Sequence, residues 1–279
     1  MTIARLADRS ILSIAGADSR AFLQGLLTQD VMLLAADTPL YAGLLSPQGK
    51  ALFDMLLFAG ADDSVLIDVA ADRAPALARR LALYKLRRAV TIAPVDLAVW
   101  AAWDGDGGAA PADPRHPALG KRWLATAAGA DGSDAYAAHR RAVGVPETAE
   151  IGEDELLWLE TGADLLGGVS FTKGCYVGQE NTARMHHRDK VRRRLVPVTL
   201  AGDRGDSVVR DAAGRRAGTL RGAVVAGLGF AHLRLETAAA PLFVGDTPLA
   251  VRVPAWLAPE LAPAPAPAAS PAASPVSTS

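Results

Sequence analysis

Residues 11–16 (ILSIAG) alternate apolar and polar side chains with the two-residue period of a half-buried strand. The period then lengthens. In 18–30 (DSRAFLQGLLTQD), Phe22, Leu23, Leu26 and Leu27 fall on one helical face behind Asp18 or Ser19 as N-cap. The runs ALFDMLLFA (51–59) and SVLIDVA (64–70) predict strands, and SPQGK (46–50) predicts a hairpin turn. A helix is predicted over 72–88 (DRAPALARRLALYKLRR), with Asp72 as N-cap, Pro75 in the first turn and Leu77, Leu81 and Tyr84 inward. The stretch 89–103 (AVTIAPVDLAVWAAW) returns as one or two strands, and the Gly/Pro/Asp-rich 103–120 reads as a loop between ordered pieces. After residue 194, the runs LVPVTLAG, AGTLRG, VVAGLGFAHL and LAVRVP are broken by Gly and Asp, which predicts a small antiparallel barrel. The pattern is that of an α+β protein followed by an all-β module, with no internal repeat of fixed period. From Pro259 onward the chain is Pro/Ala/Ser-rich with almost no large apolar residue, so this tail is expected to be disordered.

Composition narrows the class. Half of the 279 residues are apolar, 21% are charged and the net charge is −1, which suits a globular protein with a core and gives no global field toward nucleic acid or membrane. No run approaches the ~18 uncharged apolar residues of a membrane-spanning helix. The opening MTIARLADRS lacks the apolar run of a secretory signal. One cysteine excludes an intramolecular disulfide. The expectation is a cytoplasmic monomer without membrane or DNA partners.

That one cysteine, Cys175, lies in FTKGCYVGQENTARMHHR (171–188) among polar and glycine residues rather than among the apolar neighbours of a packing cysteine. Lys173 stands two residues before it, and Gly174 and Gly178 would let the backbone approach a ligand closely. Two readings stay open, a reactive thiol or a small residue buried in a tight turn. With only His186 and His187 nearby in sequence, no metal-site spacing is present, so no stably bound metal is expected; a transient ligand role for Cys175, shared with a partner, is compatible with one thiol. The run RMHHRDKVRRR (184–194) and the residues Arg79, Arg80, Lys85, Arg87 and Arg88 concentrate positive charge, which points to an anionic ligand near 184–194 and, for the helix, to either a polyanion or a solvated face. There is no Gly-x-Gly-x-x-Gly after a strand, no Walker loop and no Gly-x-Ser-x-Gly elbow, and no carboxylate pair stands out.

The segment KGCYVGQE (173–180), preceded by LGGVSFT and followed by ARMHHRDKVRRRLV, resembles the signature of the YgfZ family. These are folate-binding relatives of the glycine-cleavage T protein, an aminomethyltransferase, and they include a mitochondrial assembly factor for 4Fe–4S proteins. The blocks at 11–31, 41–58, 139–147 and 217–234 also resemble the family, so the likeness covers about residues 3 to 255. It implies three small modules around a central folate cavity, the last a small antiparallel β-barrel. The modules would span 1–45 with 130–190, then 46–129, then 191–257, followed by a disordered tail at 258–279. It implies Cys175 as the functional thiol, with Lys173 beside it, and Gly178, Gln179 and Glu180 as the rest of the motif. Glu160 falls where the transferases have a glutamate that contacts the pterin, and Arg192 to Arg194 would meet the folate's glutamyl carboxylates.

The chain departs from the transferases in two places. The stretch IDVAADRAPALARR lacks their Asn-Ala…Asp pattern, and RRAVGVP carries Ala142 in place of a glutamate. The implied function is therefore assembly or repair of iron–sulfur enzymes, including one that modifies tRNA, with tetrahydrofolate or a one-carbon derivative as cofactor. The partners would be iron–sulfur assembly proteins or client enzymes, and an accessory role is expected ahead of catalysis. A folate-dependent aminomethyltransferase and an RNA-binding module are the alternatives.

Overall fold

The structure is a computed structural model and describes residues 1–187, 191–201 and 207–261. Strands β1 (Thr2–Leu6) and β2 (Arg9–Ala15) are joined at Ala7 and Asp8 yet enter different sheets. Helix α1 (Ser19–Gln24) leads to the hairpin of β3 (Leu40–Leu45) and β4 (Ala51–Ala59). Then follow β5 (Val65–Ala70), α2 (Ala74–Lys85), β6 (Thr91–Val95), β7 (Ala98–Trp103) and β8 (Lys121–Ala125). Helices α3 (Ser133–Val143), α4 (Thr148–Ile151) and α5 (Gln179–His187) precede the last six strands. These are β9 (Arg193–Leu200), β10 (Val208–Asp211), β11 (Arg216–Val225), β12 (Leu228–Arg234), β13 (Leu242–Val244) and β14 (Thr247–Val251). A short helix, α6 (Ala258–Leu261), closes the described chain.

Three antiparallel systems result. A five-stranded sheet has the order β3-β4-β5-β2-β6, a three-stranded sheet has the order β1-β7-β8, and β10-β11-β12-β9-β14-β13 close into a barrel. Both faces of the larger sheet are covered. Leu12, Ile14 and Leu57 pack with Leu23, Leu27, Leu77 and Leu81 from α1, its following turn and α2. Tyr41, Leu56 and Phe58 pack on the other side with Ile151, Trp158, Leu195 and Phe230. This double burial is why β4 is a nearly unbroken apolar run and not an alternating one. No helix among the described residues is long and apolar enough to cross a membrane.

The α+β class and the C-terminal barrel match the expectation from sequence, but four details of the organisation do not. The split at 45/46 cuts a hairpin, since Leu40 pairs with Leu57 and Leu44 with Phe53 in one sheet. Residues of β1 likewise leave the 1–45 unit to pair with β7, Leu6 opposite Val99. Strand partners are chosen by hydrogen bonding across the sheet, which sequence contiguity does not report. The loop 103–120 is also more than a spacer: Asp113, Arg115 and Leu119 are buried. Finally, order extends past residue 257. Leu257 is buried in the barrel core, α6 follows it, and Glu260 Oε2 lies 3.2 Å from Arg194 Nη2. The rest of the tail, 262–279, lies outside the described residues.

The two sheets meet through an apolar cluster, Leu6, Val99 and Trp103 with Ile11 and Leu66, and through buried ion pairs. Asp68 on β5 is fully buried between Arg9 of β2 at 2.6 Å and Arg122 of β8 at 2.7 Å. Arg115 binds Asp113 at 2.7 Å, the Tyr136 hydroxyl at 2.9 Å and the Glu147 carboxylate. Glu147 also faces Arg140 at 3.5 Å, and Arg140 and Arg141 reach Glu150 at 3.0 and 3.1 Å. Burial alone would raise the Glu147 carboxyl, but Arg115, Arg140 and Arg9 hold it well below its ordinary 4.5. A carboxyl depressed on folding contributes stability that is complete above its unfolded value and is lost as pH falls below it. The urea midpoint should therefore be flat near neutrality and fall once the pH drops below 4.5. Glu147→Gln should cost about 3–5 kcal/mol, because buried guanidinium groups lose their counter-charge. The variant should also lose part of that acid dependence, and denaturant titrations at several pH values measure both effects.

Candidate functional site

The KGCYVGQE segment is clamped at two points with Cys175 between them. Lys173 is buried, and its ammonium donates to three backbone carbonyls at the end of α1 and in the turn beyond it: Gln24 at 2.8 Å, Leu27 at 2.7 Å and Gln29 at 2.8 Å. Burial pushes this ammonium down to about 8, opposed by Asp30. Tyr176 is buried in the central core, 5.3 Å beneath the Lys173 ammonium, and burial pushes its phenol up to about 12. Residues 174 and 175 between these anchors are exposed, so the loop's tip presents the Cys175 thiol to solvent. The same loop is tied from below, where Thr28 Oγ1 donates to the Gly168 carbonyl at 2.6 Å and accepts from the Gly43 amide at 2.8 Å.

Gly178 closes the motif for a steric reason. Its φ is +83°, and a Cβ there would lie 2.5 Å from the Ser46 carbonyl oxygen and 2.9 Å from Leu45 Cβ. The β3–β4 turn, which reverses at Gly49 with φ +81°, thus packs directly on the start of α5. Asn181 Nδ2 donates to Gln48 O at 2.9 Å and fastens the same contact. Around Cys175 an open cleft of about 590 Å³ is lined by Pro47 of that turn, Val177, Gln179, Glu180 and Ala183.

A second cleft, about 390 Å³, lies on the opposite side of α5. Leu157, Glu160, Asn181, Arg184, Met185, Arg192 and Arg193 line it. The Glu160 carboxylate, mostly buried, is 3.3 Å from His232 Nε2 and accepts weakly from the Leu157 amide at 3.4 Å. On α5, residues 179, 180 and 183 face the cysteine and 181, 184 and 185 face Glu160, as the helical period dictates.

The site expected from sequence is therefore divided. Cys175, Gln179 and Glu180 share one cleft; Glu160 and Arg192 share the other, so Gln179 and Glu180 do not join Glu160 around one ligand. Lys173 is a tether, because its three donors are used on carbonyls away from the thiol. Gly178 lines the Cys175 cleft and also packs against the β3–β4 turn. Arg194 does not line the Glu160 cleft: its side chain is buried, with its guanidinium on Asp164 at 2.8 Å, Leu159 O at 2.8 Å and Glu260. Arg188 and Lys190 of the basic run lie outside the described residues. Sequence reasoning missed Asn181, Pro47 and His232, whose only signal was membership of the family-like blocks. Among the described residues no three His, Cys, Asp or Glu side chains gather to hold a metal ion.

The architecture is that of the glycine-cleavage T proteins. The aminomethyltransferase T of Bartonella henselae superposes with a TM-score of 0.73 over 91% of this chain and 85% of its own, at 14% identity, which defines the fold alone. A family model described as the CAF17 C-terminal β-barrel domain matches residues 192–259, which take in the barrel and the first residues of α6. A T-protein-like scaffold with an exposed, clamped cysteine is thus the class. Within it, the chain belongs to the family of the iron–sulfur cluster assembly factor IBA57, a relation narrower than the general likeness to YgfZ proteins. It is 34% identical to the human mitochondrial IBA57, with 90% of this chain and 84% of that protein covered. It is 35% identical to the mitochondrial homologue of Coccidioides immitis over 70% of this chain. The chain spans 56% of the length of that fungal relative.

Lys173→Met should release the loop, since it leaves three carbonyls without their donor. The expected loss is about 2–3 kcal/mol, with faster amide exchange confined to residues 171–178 and 24–29. Exchange mass spectrometry resolves the two segments from the barrel.

Proposed function

We propose that this chain is an accessory factor in the assembly or repair of 4Fe–4S proteins and that Cys175 is the thiol that handles the cluster. The observation that carries this is the exposed Cys175 held between two buried anchors, Lys173 and Tyr176. Its relatives bear the name of iron–sulfur cluster assembly factors. A lone thiolate cannot hold a cluster, so the cluster is cargo shared with a partner's cysteines. The step is ligand exchange: Cys175 gives up its proton and forms an Fe–S bond, while a partner thiolate leaves the same iron and takes up a proton. No electron changes hands. The partners are iron–sulfur assembly proteins or client enzymes, among them one that modifies tRNA. The relatives are named as mitochondrial proteins and lend no support to a cytoplasmic site.

Tetrahydrofolate is the ligand proposed for the Glu160 cleft. The donor set fits it: a carboxylate to accept from pterin N–H groups, Leu157 and Met185 as apolar walls, and Arg184, Arg192 and Arg193 for glutamyl carboxylates. Bound there, the folate would supply a one-carbon carrier on the far side of α5 from the thiol. Aminomethyl transfer is the weaker reading, because IDVAADRAPALARR (67–80) lacks the Asn-Ala…Asp pattern of the transferases, and the buried carboxylate it does contain, Asp68, is paired with Arg9 and Arg122. An RNA-binding module is weaker too, since Arg194 at the end of the basic run is buried in ion pairs.

Cys175→Ala should keep its melting temperature and folate affinity yet fail to restore 4Fe–4S enzyme activity in a strain lacking this chain. Full restoration would return Cys175 to a passive surface residue.

Glu160→Ala should weaken tetrahydrofolate by ~1–3 kcal/mol, the scale for removing one hydrogen-bonding partner of a charged or polar group. Isothermal calorimetry reads this directly, and unchanged affinity would place the folate elsewhere.

A further inference from the structure

The cationic surface of α2 and of the turn that follows it takes no part in either cleft. Arg79, Arg80, Lys85, Arg87 and Arg88 have no ion-pair partner among the described residues, whereas the arginines between the two sheets are paired. Arg80 Nε is buried and without a hydrogen-bond partner. Two leucines stand among these cations, Leu83 at 70% and Leu86 at 86% exposure. Leu86 is held outward with φ +46°, a conformation that a branched side chain adopts only at some cost. Beside them, between α2 and β4, runs a groove of about 410 Å³ floored by Leu52, Phe53 and Ala76 and edged by Arg79, Arg80 and Leu83. Its far wall is Glu153, paired with Arg73 at 2.6 Å, while the Arg73 guanidinium covers the Phe53 ring at 5.0 Å.

A solvated helix face carries cations without large apolar groups, and a core face buries its leucines. This face does neither. Single-stranded RNA would match the charge but gains little from leucines, its usual platform being aromatic. A bilayer surface needs the apolar face of a helix, but Leu77 and Leu81 of α2 are already committed to the core. An acidic protein segment with an apolar side chain satisfies both halves of the pattern in a chain whose net charge is only −1.

We propose that the α2–β4 groove docks an acidic segment of a partner protein, with one apolar side chain on Leu52, Phe53 and Leu83 and flanking carboxylates on Arg79 and Arg80. The site also has a place in the proposed function. Phe53 of the groove and Pro47 of the Cys175 cleft belong to the same hairpin, at most about 20 Å apart along an extended chain. One interface of standard size covers both. The docked partner is then the protein that exchanges the cluster with Cys175, an identification that rests on the cluster-handling reading of that thiol.

The test has two arms. In the first, Leu83→Glu and the pair Arg79→Glu with Arg80→Glu are introduced separately into a strain lacking this chain, beside Cys175→Ala. Client 4Fe–4S activity should fall about tenfold in both groove variants, the scale of losing one anchor, with melting temperatures unchanged. In the second, a fluorescein-labelled twelve-residue peptide of Glu and Asp around a central Phe is titrated by anisotropy. An RNA oligomer of equal charge and phosphatidylglycerol vesicles serve as competing probes. The peptide should bind, weaken with salt, and weaken about tenfold with Leu83→Glu. Absence of peptide binding, or RNA or vesicle binding that is tighter and indifferent to Leu83→Glu, overturns the proposal. Full activity in the groove variants while Cys175→Ala fails overturns the docking and leaves the function standing. Full activity of Cys175→Ala removes the function reading but not the docking, which the peptide reads by itself.

Discussion

Asp68 is fully buried between two guanidinium groups, and the arrangement of the N-terminal two-thirds of this protein depends on it. A carboxylate taken out of water is tolerated only where opposite charge and hydrogen bonds replace its hydration. Arg9 comes from the larger sheet and Arg122 from the smaller one, so the two sheets can meet in one register only. The network continues through Arg115, Glu147, Arg140 and Glu150 to α4. From there Arg221 of β11 donates to the Glu150 and Ile151 carbonyls, which fixes the barrel against the same body. Such a network adds less stability than apolar packing of equal volume would. What it supplies is a single geometry for three systems of strands that share few sequential contacts.

The cysteine loop uses the same device on a smaller scale. Lys173 is a buried cation solvated by three carbonyl dipoles within the field of Asp30, and it holds the cysteine loop to the end of α1 and the turn after it. Gly178 and Gly49 remove the side chains that would keep the β3–β4 turn away from α5. The thiol is consequently exposed on a loop whose backbone is fastened on both sides, an arrangement suited to repeated contact with another macromolecule. Two clefts back to back across α5 also separate what a shared small-molecule site would bring together.

The aminomethyltransferase T of Bartonella henselae shares this fold at 14% identity, a likeness of architecture alone. In this chain the carboxylate on β5 is a buried counter-ion of Arg9 and Arg122. Function has to be argued from the side chains at the clefts, because the fold permits several.

Much of this was legible in the chain itself. Periodicity located most strands, the helix over 72–88 and the barrel, because each element buries a face whose spacing the sequence records. The KGCYVGQE segment and Glu160 could be picked out, since motifs are local. The two-sided burial of β4 was visible as an unbroken apolar run, although the partner of that run was not. Pairing β1 with β7 and Arg9 with Asp68 and Arg122 joins residues far apart in the chain. The roles of Lys173 and Arg194 were misread for the same reason. A cation in a sequence looks the same whether it faces a ligand, water or a buried carbonyl, and only the tertiary structure supplies the acceptor. Composition and periodicity determined which elements form; long-range hydrogen bonds and ion pairs decided which side chains remain free to act.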